Sequence, residues 1–219
     1  SCGYLNQELC AGSEDERTTY RIKAGVPVPL VEAAIMDEHG EFLPADGESQ
    51  GELVLRAPWL TQGYFREPEK GEDLWAGGWM HTGDVATLDG MGFIDIRDRI
   101  KDVIKTGGEW LSSLELEDLI SRHPAVREVA VVGVPDPQWG ERPFALLVLR
   151  DGQALDARAL REHLKPFVEQ GNINKWAIPS QIAVVTEVPK TSVGKLDKKR
   201  IRVDIAQWQE AGSAFLSTV

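Results

Sequence analysis

The chain has 219 residues, 42% of them apolar and seven of them tryptophan, enough to bury a core and too many for a disordered segment. A formal net charge of −11 argues against nonspecific nucleic-acid binding, which needs a basic face to displace counterions from phosphate. Cys2 and Cys10 make no disulfide framework, His39, His81, His123 and His163 are not spaced as metal ligands, and no apolar run approaches the ~20 residues that span a bilayer.

In chain order, the first half reads as short strands and turns. "PVPLVEAAIMDEHGEFLP" predicts a strand, a turn over Asp37 to Gly40 and a return. "GELVLRAP" alternates as a half-buried strand does, with Leu53 and Leu55 on one side. Asp89-Gly90-Met91-Gly92 separates two β-prone runs and predicts a hairpin. Up to about residue 98 the pattern predicts little helix.

Beyond that point the periodicity changes. Ser112 followed by Glu115 fits a capping box, and Leu116, Leu119 and Ile120 recur at helical spacing. "VREVAVVGV", "PFALLVLR" and "QIAVVTEV" predict strands. Asp156 caps a predicted helix whose apolar face is Leu160, Leu164, Phe167 and Val168, and "DKKRIRVDIAQWQ" closes the chain as a helix. The fold class expected is α+β: a β-rich subdomain over 1–98, then a compact α+β domain over 99–219. With no Pro-rich or Gly/Ser linker near Arg97 to Lys101, any hinge there is short.

Three stretches carry chemical meaning. In Thr82-Gly83-Asp84 a carboxylate follows a glycine that can turn the backbone sharply; it suits the two hydroxyls of a ribose, or equally a turn in which the aspartate caps its own backbone. In "RDRIKDVIKTGGEW", Arg97, Arg99, Lys101 and Lys105 fall on one face of an extended chain and precede a glycine pair that admits close backbone approach; a plain surface strand reads the same way. In "VPKTSVGKLDKK", Lys195 follows glycine as in a phosphate loop. Proline stands at 189 where the first glycine belongs, and leucine follows the lysine, so the Walker pattern is absent. Read locally, Lys195 is a mobile point charge or surface decoration, and the basic cluster Lys190, Lys195, Lys198, Lys199, Arg200 and Arg202 is mostly a solvated helix face.

The order and spacing of "GELVLRAPWLTQGYF", "WMHTGDV", "DRIKDVIKTGGEWLSSLELE", "VPDPQWGERP" and "PKTSVGKLDKKRIR" resemble the adenylate-forming (AMP-binding) enzymes, from about Gly25 onward. "GGEW-LSS" followed by "NKWAIP" resembles most the acyl-CoA synthetase branch that activates medium- and longer-chain fatty acids. The resemblance implies a ligase that joins a fatty acid to AMP with ATP and then transfers the acyl group to CoA, with Mg2+ as a cofactor held mainly through other parts of the enzyme. It implies that Asp84 and Arg99 hold the ATP ribose, that Lys101 is the hinge, and that Lys195 is the catalytic lysine of adenylation. Lys105 would stand near the adenylate in a second conformation, and Gly107 and Gly108 would line a tunnel for pantetheine.

Where many relatives carry arginine two places after the tunnel glycine, this chain has Trp110, so phosphate contacts expected of that arginine do not transfer. The family's Thr/Ser/Gly-rich phosphate loop and most of its acid pocket have no equivalent in these residues. The expectation is therefore a C-terminal portion: the last β subdomain of the large domain plus the small mobile domain, inactive alone. The alternative is a naturally separate, non-catalytic module that binds CoA or a partner chain. A cytoplasmic setting is expected from the absence of a basic-then-apolar signal in "SCGYLNQELC", and homo-oligomerisation is left open.

Overall fold

Four strands, β1 (Glu32–Met36), β2 (Gly51–Arg56), β3 (Met80–Leu88) and β4 (Ile94–Arg99), form an antiparallel sheet in chain order in this computed structural model. The structure describes residues 12–210 and the backbone of 216–218; Cys2 and Cys10 lie outside the described residues. The chain divides into two units between Lys101 and Asp102.

In the first unit each strand contributes one buried apolar residue, Ile35, Leu53, Ala86 and Ile94, to a common cluster. The predicted turn at Asp37 is present: Gly40 donates to the Asp37 carbonyl at 3.2 Å, and the Asp37 carboxylate accepts the His39 amide at 2.8 Å. Its return is brief, a single bridge between Met36 and Phe42. The Asp89–Gly92 turn joins β3 to β4, closed by Gly92 donating to the Asp89 carbonyl at 2.8 Å. Lys23 Nζ lies 2.8 Å from Asp89 Oδ2. Burial pushes the Asp89 carboxyl up, but the Lys23 and Phe93 hydrogen bonds outweigh it and hold the group below its usual range.

Two helices that the sequence pattern does not predict stand in this unit, α1 (Glu14–Arg21) and α2 (Pro68–Leu74). Neither buries a residue, so neither has the apolar periodicity by which a helix is recognised. Local chemistry starts them instead. Ser13 caps α1 in a reciprocal box with Glu16, which accepts the Ser13 amide at 2.7 Å, and α2 begins on Pro68.

The second unit has a six-stranded sheet of β5 (Ile104–Thr106), β6 (Glu109–Leu111), β7 (Val126–Asp136), β8 (Gly140–Leu149), β9 (Gln181–Val184) and β10 (Leu216–Thr218). β8 is its hub, antiparallel to β5 and β7 and parallel to β9. Helices α3 (Ser113–Ser121), α4 (Ala157–Glu169) and α5 (Lys198–Glu210) cover it. Val131, Ala145 and Leu147 share one cluster with Leu116, Ile120, Leu160 and Leu164, while Val132, Phe144 and Leu146 share another with Ile201 and Ile205. With both faces covered, β7 and β8 are apolar at consecutive rather than alternate positions. Each such fully buried side chain contributes about 1.5–3 kcal/mol over leaving it exposed. Ser112 accepts the Glu115 amide at 3.1 Å and Asp156 the Ala159 amide at 2.7 Å, the two predicted caps. The fold class is α+β, as the sequence predicts. Among the described residues no helix is long and apolar enough to cross a membrane.

One expectation is corrected. Arg97, Arg99, Lys101 and Lys105 do not lie along one extended strand: β4 ends at Arg99, its register slips at Arg97, and Lys105 belongs to the second unit. The C-terminal basic cluster is mostly solvated, as expected, with Lys198 the exception. Lys198 is 8% exposed, because it lies one turn before Ile201 on the inward face of α5. Its Nζ donates to Ser113 Oγ at 2.6 Å and lies 2.8 Å from Glu117 Oε1, which also accepts the Val131 amide at 2.8 Å. Distant histidines also meet: His123 and His163 pack edge to face, centroids 5.0 Å apart, and burial together with the His163 charge lowers the pKa of His123.

Candidate functional site

Asp84 stands where β3 bulges. Glu52 pairs with Val85 and Val54 with His81, so β3 spends four residues where β2 spends two. Gly83 takes the left-handed φ of 71° that this excursion demands. The displaced polar groups find partners locally: the Thr82 hydroxyl donates to the Leu53 carbonyl at 2.7 Å and accepts the Asp84 amide at 3.1 Å. Across the sheet Arg99 is the register partner of Asp84, with Nε 2.8 Å from Oδ1. Ile100 then donates to the Gly83 carbonyl at 2.9 Å, tying the end of β4 to the bulge. The structure thus brings together two predicted site residues, Asp84 and Arg99. Lys101 follows as the last residue of the first unit.

In the second unit Gly107 and Gly108 form the two-residue turn of the β5–β6 hairpin, with φ of 59° and 85°. Both positive values match a type I′ turn, which two glycines adopt without strain. Gly107 donates its amide to the Trp139 carbonyl at 2.9 Å, and a Cβ on it would lie 3.1 Å from Trp139 Cε3. Lys105, on β5, extends its ammonium over the Trp110 ring, 4.8 Å from the centroid, so Trp110 holds the lysine from the neighbouring strand.

Lys195 stands on a separate hairpin. Gly194, at φ 80°, donates to the Thr191 carbonyl at 2.9 Å, and Thr191 donates to the Lys195 carbonyl at 2.7 Å. The lysine side chain is exposed on this preformed turn. Asp197 accepts the Arg200 amide at 3.0 Å and so begins α5 directly behind it.

The sequence reading missed a groove of about 430 Å³ on the second unit, lined by Trp139, Trp176, Arg142, Arg161, Lys175 and Asp136 among others. The two indoles lie 4.6 Å apart at 35°. Aromatic faces beside three cations suit a planar base carrying anionic groups. The signal in sequence is only that Trp139 and Trp176 flank two strand-rich segments; nothing local says that they meet.

Residues 115–195 match the AMP-binding enzyme C-terminal domain. The chain belongs to the adenylate-forming, AMP-binding enzymes. It is 40% identical over 200 residues to the long-chain-fatty-acid–CoA ligase of Thermus thermophilus, across 91% of this chain and 36% of that protein. It is 38% identical to the medium/long-chain-fatty-acid–CoA ligase FadD8 of Mycobacterium tuberculosis, across 94% of this chain and 35% of that one. Among solved structures, o-succinylbenzoate CoA synthetase from Bacillus subtilis, in complex with the acyl-adenylate intermediate OSB-AMP, superposes with a TM-score of 0.73 at 29% identity. That match covers 87% of this chain and 37% of the neighbour. The amide bond synthetase McbA from Marinactinospora thermotolerans gives 0.70 at 34% identity, over 86% and 38%. The chain spans about a third of the length of the curated relatives it matches.

Proposed function

We propose that these residues are the C-terminal portion of an AMP-forming acyl-CoA ligase acting on a medium- or long-chain fatty acid. The observation that carries the proposal is the 40% identity to a fatty-acid–CoA ligase across 91% of the chain. Residues 1–98 would close the large domain and 99–219 form the small mobile domain, with Lys101 as the hinge between them; the unit boundary after Lys101 supports that reading.

The chemistry runs in two steps. A fatty-acid carboxylate oxygen attacks the α-phosphorus of ATP, and the bond to pyrophosphate breaks. The CoA thiol then attacks the acyl carbonyl, and AMP leaves with the oxygen it gained. In the first step two anions approach, and the Lys195 ammonium at their meeting point lowers the barrier electrostatically. Asp84 accepts hydrogen bonds from the ribose hydroxyls and Arg99 donates to them. The paired geometry of these two supports that assignment. In the second step Gly107 and Gly108 give pantetheine a narrow path, with Lys105 beside the adenylate. The Trp139–Trp176 groove, flanked by Arg142, Arg161 and Lys175, suits the nucleotide end of CoA and favours a CoA acceptor over a simple amine. Mg2+ would arrive on the phosphates of ATP. Among the described residues no group of three or more His, Cys, Asp or Glu could hold a metal, so none is assigned to it here.

In the protein at its full natural length, Lys195→Ala should slow fatty-acid-dependent exchange of pyrophosphate into ATP by ~10²-fold or more. The same variant should still convert preformed acyl-adenylate and CoA to acyl-CoA. Undiminished exchange would remove Lys195 from the mechanism. Residues 1–219 alone should show no turnover in an acyl-CoA formation assay, since they hold no Thr/Ser/Gly-rich phosphate loop.

A further inference from the structure

The bulge that carries Asp84 leaves the Gly83 amide without a ladder partner on β2, because that stretch of β3 is two residues longer than the strand facing it. Glu52 fills the gap. Its Oε1 accepts the Gly83 amide at 2.9 Å, and its Oε2 lies 2.7 Å from His81 Nδ1. The other ring nitrogen of His81 is 3.1 Å from the Ala76 carbonyl, so the imidazole ties the carboxylate to the segment ahead of β3. Glu52 is 16% exposed in its side chain, and it reaches the residues on both sides of Thr82, while the Thr82 hydroxyl secures the main chain of Leu53 and Asp84.

We propose that Glu52 is the positioning residue for Asp84, a bracket that fixes the left-handed Gly83 and so aims the next side chain. The proposal rests on the reading of Asp84 as the ribose ligand. A bulge glycine has a soft backbone, and its conformation persists only where neighbours over-determine it. A carboxylate accepting a backbone N–H is roughly twice as strong as a neutral acceptor, and it is less exposed to competition from water when partly buried. Both Glu52 oxygens are engaged within the protein, so the residue acts through Gly83 and His81 rather than on a ligand of its own.

The test uses the full-length protein and compares dissociation constants for ATP and 2′,3′-dideoxy-ATP, which lacks both ribose hydroxyls. The wild type should prefer ATP, and Asp84→Ala should cut that preference about tenfold or more, leaving only the share that Arg99 supplies. If Asp84→Ala keeps the full preference, the ribose reading itself fails. Given that loss, Glu52→Ala should reduce the preference about tenfold or more, while Glu52→Gln, which can still accept the Gly83 amide, should retain most of it. The double variant Glu52→Ala/Asp84→Ala should bind ATP no more weakly than Asp84→Ala alone. A Glu52→Ala protein that discriminates within twofold of wild type, or losses that add in the double variant, would overturn the role for Glu52. Should Glu52→Ala fail to fold, Glu52→Asp, whose carboxylate is one methylene short of Gly83, is judged by the same two criteria.

Discussion

Asp84 and Arg99 face each other across the β3–β4 ladder, Arg99 Nε 2.8 Å from Asp84 Oδ1, with the arginine side chain 59% exposed. A pair so open to solvent contributes about 0–1 kcal/mol to stability. Its placement therefore has to be explained by something other than folding. Arg99→Ala should leave the melting temperature within a few degrees of wild type, yet weaken ATP binding about tenfold or more, the size of a lost hydrogen bond to a charged group. Calorimetric melting and nucleotide titration on the same sample check this. A large loss of melting temperature with unchanged affinity would make the pair structural.

Gly107 and Gly108 both need positive φ, but only Gly107 faces a ring. An alanine at either position adopts a left-handed conformation at about 1–2 kcal/mol. At 107 its Cβ also presses on Trp139, whose indole packs on Trp176. Gly107→Ala should therefore shift tryptophan emission and lower stability more than Gly108→Ala. Fluorescence spectra and urea midpoints of the two variants decide the matter.

Lys198 and Glu117 are 8% and 9% exposed, and they join α5 to α3 through Ser113. Removing one partner strands a buried charge, so Lys198→Ala should destabilise by about 3–5 kcal/mol. Replacing both, as Lys198→Met with Glu117→Gln, should recover most of that, because the glutamine still accepts the Val131 amide. Denaturant titration of the single and double variants measures the difference.

The lowered pKa of His123 makes stability depend on pH in a defined direction. The unfolded chain takes up a proton at this site below pH ~6.5, before the folded one does, so stability falls as pH drops through that value. His123→Gln should flatten the fall. Urea midpoints at pH 7.5 and pH 5.5 should differ less for the variant than for wild type.

Asp89 acts in the same direction, but in a more acidic window. Its pKa is depressed, so its contribution is present above the ordinary aspartate value and lost as pH falls below it. Asp89→Asn, which loses the part-buried Lys23 ion pair, should cost about 1.5–3 kcal/mol at neutral pH and progressively less below pH ~4, read from acid-unfolding curves.

Much of the second unit was legible because its signals are local. Asp156 and Ser112 cap where their side chains predict, and the face of Leu160 and Leu164 is set by helical spacing alone. The helix at Glu14–Arg21 was not, although Ser13 and Glu16 spell its cap, because it buries nothing. Nor was the slip in β4 register that separates Arg97 from its expected companions, since one extra residue in a strand leaves no mark in composition.

The sequence by itself determined the longer strands, the glycine turns and the identity of the family, because each rests on residues near in the chain or on their order along it. Only the tertiary structure decided which of those residues meet. Arg99 reaches Asp84 through register, Glu52 reaches Gly83 through a bulge two residues deep, Trp139 reaches Trp176 by packing, and Lys198 is buried against Glu117. Those pairings depend on how strands align and which face a helix turns inward, and both are settled by burying the whole apolar set at once.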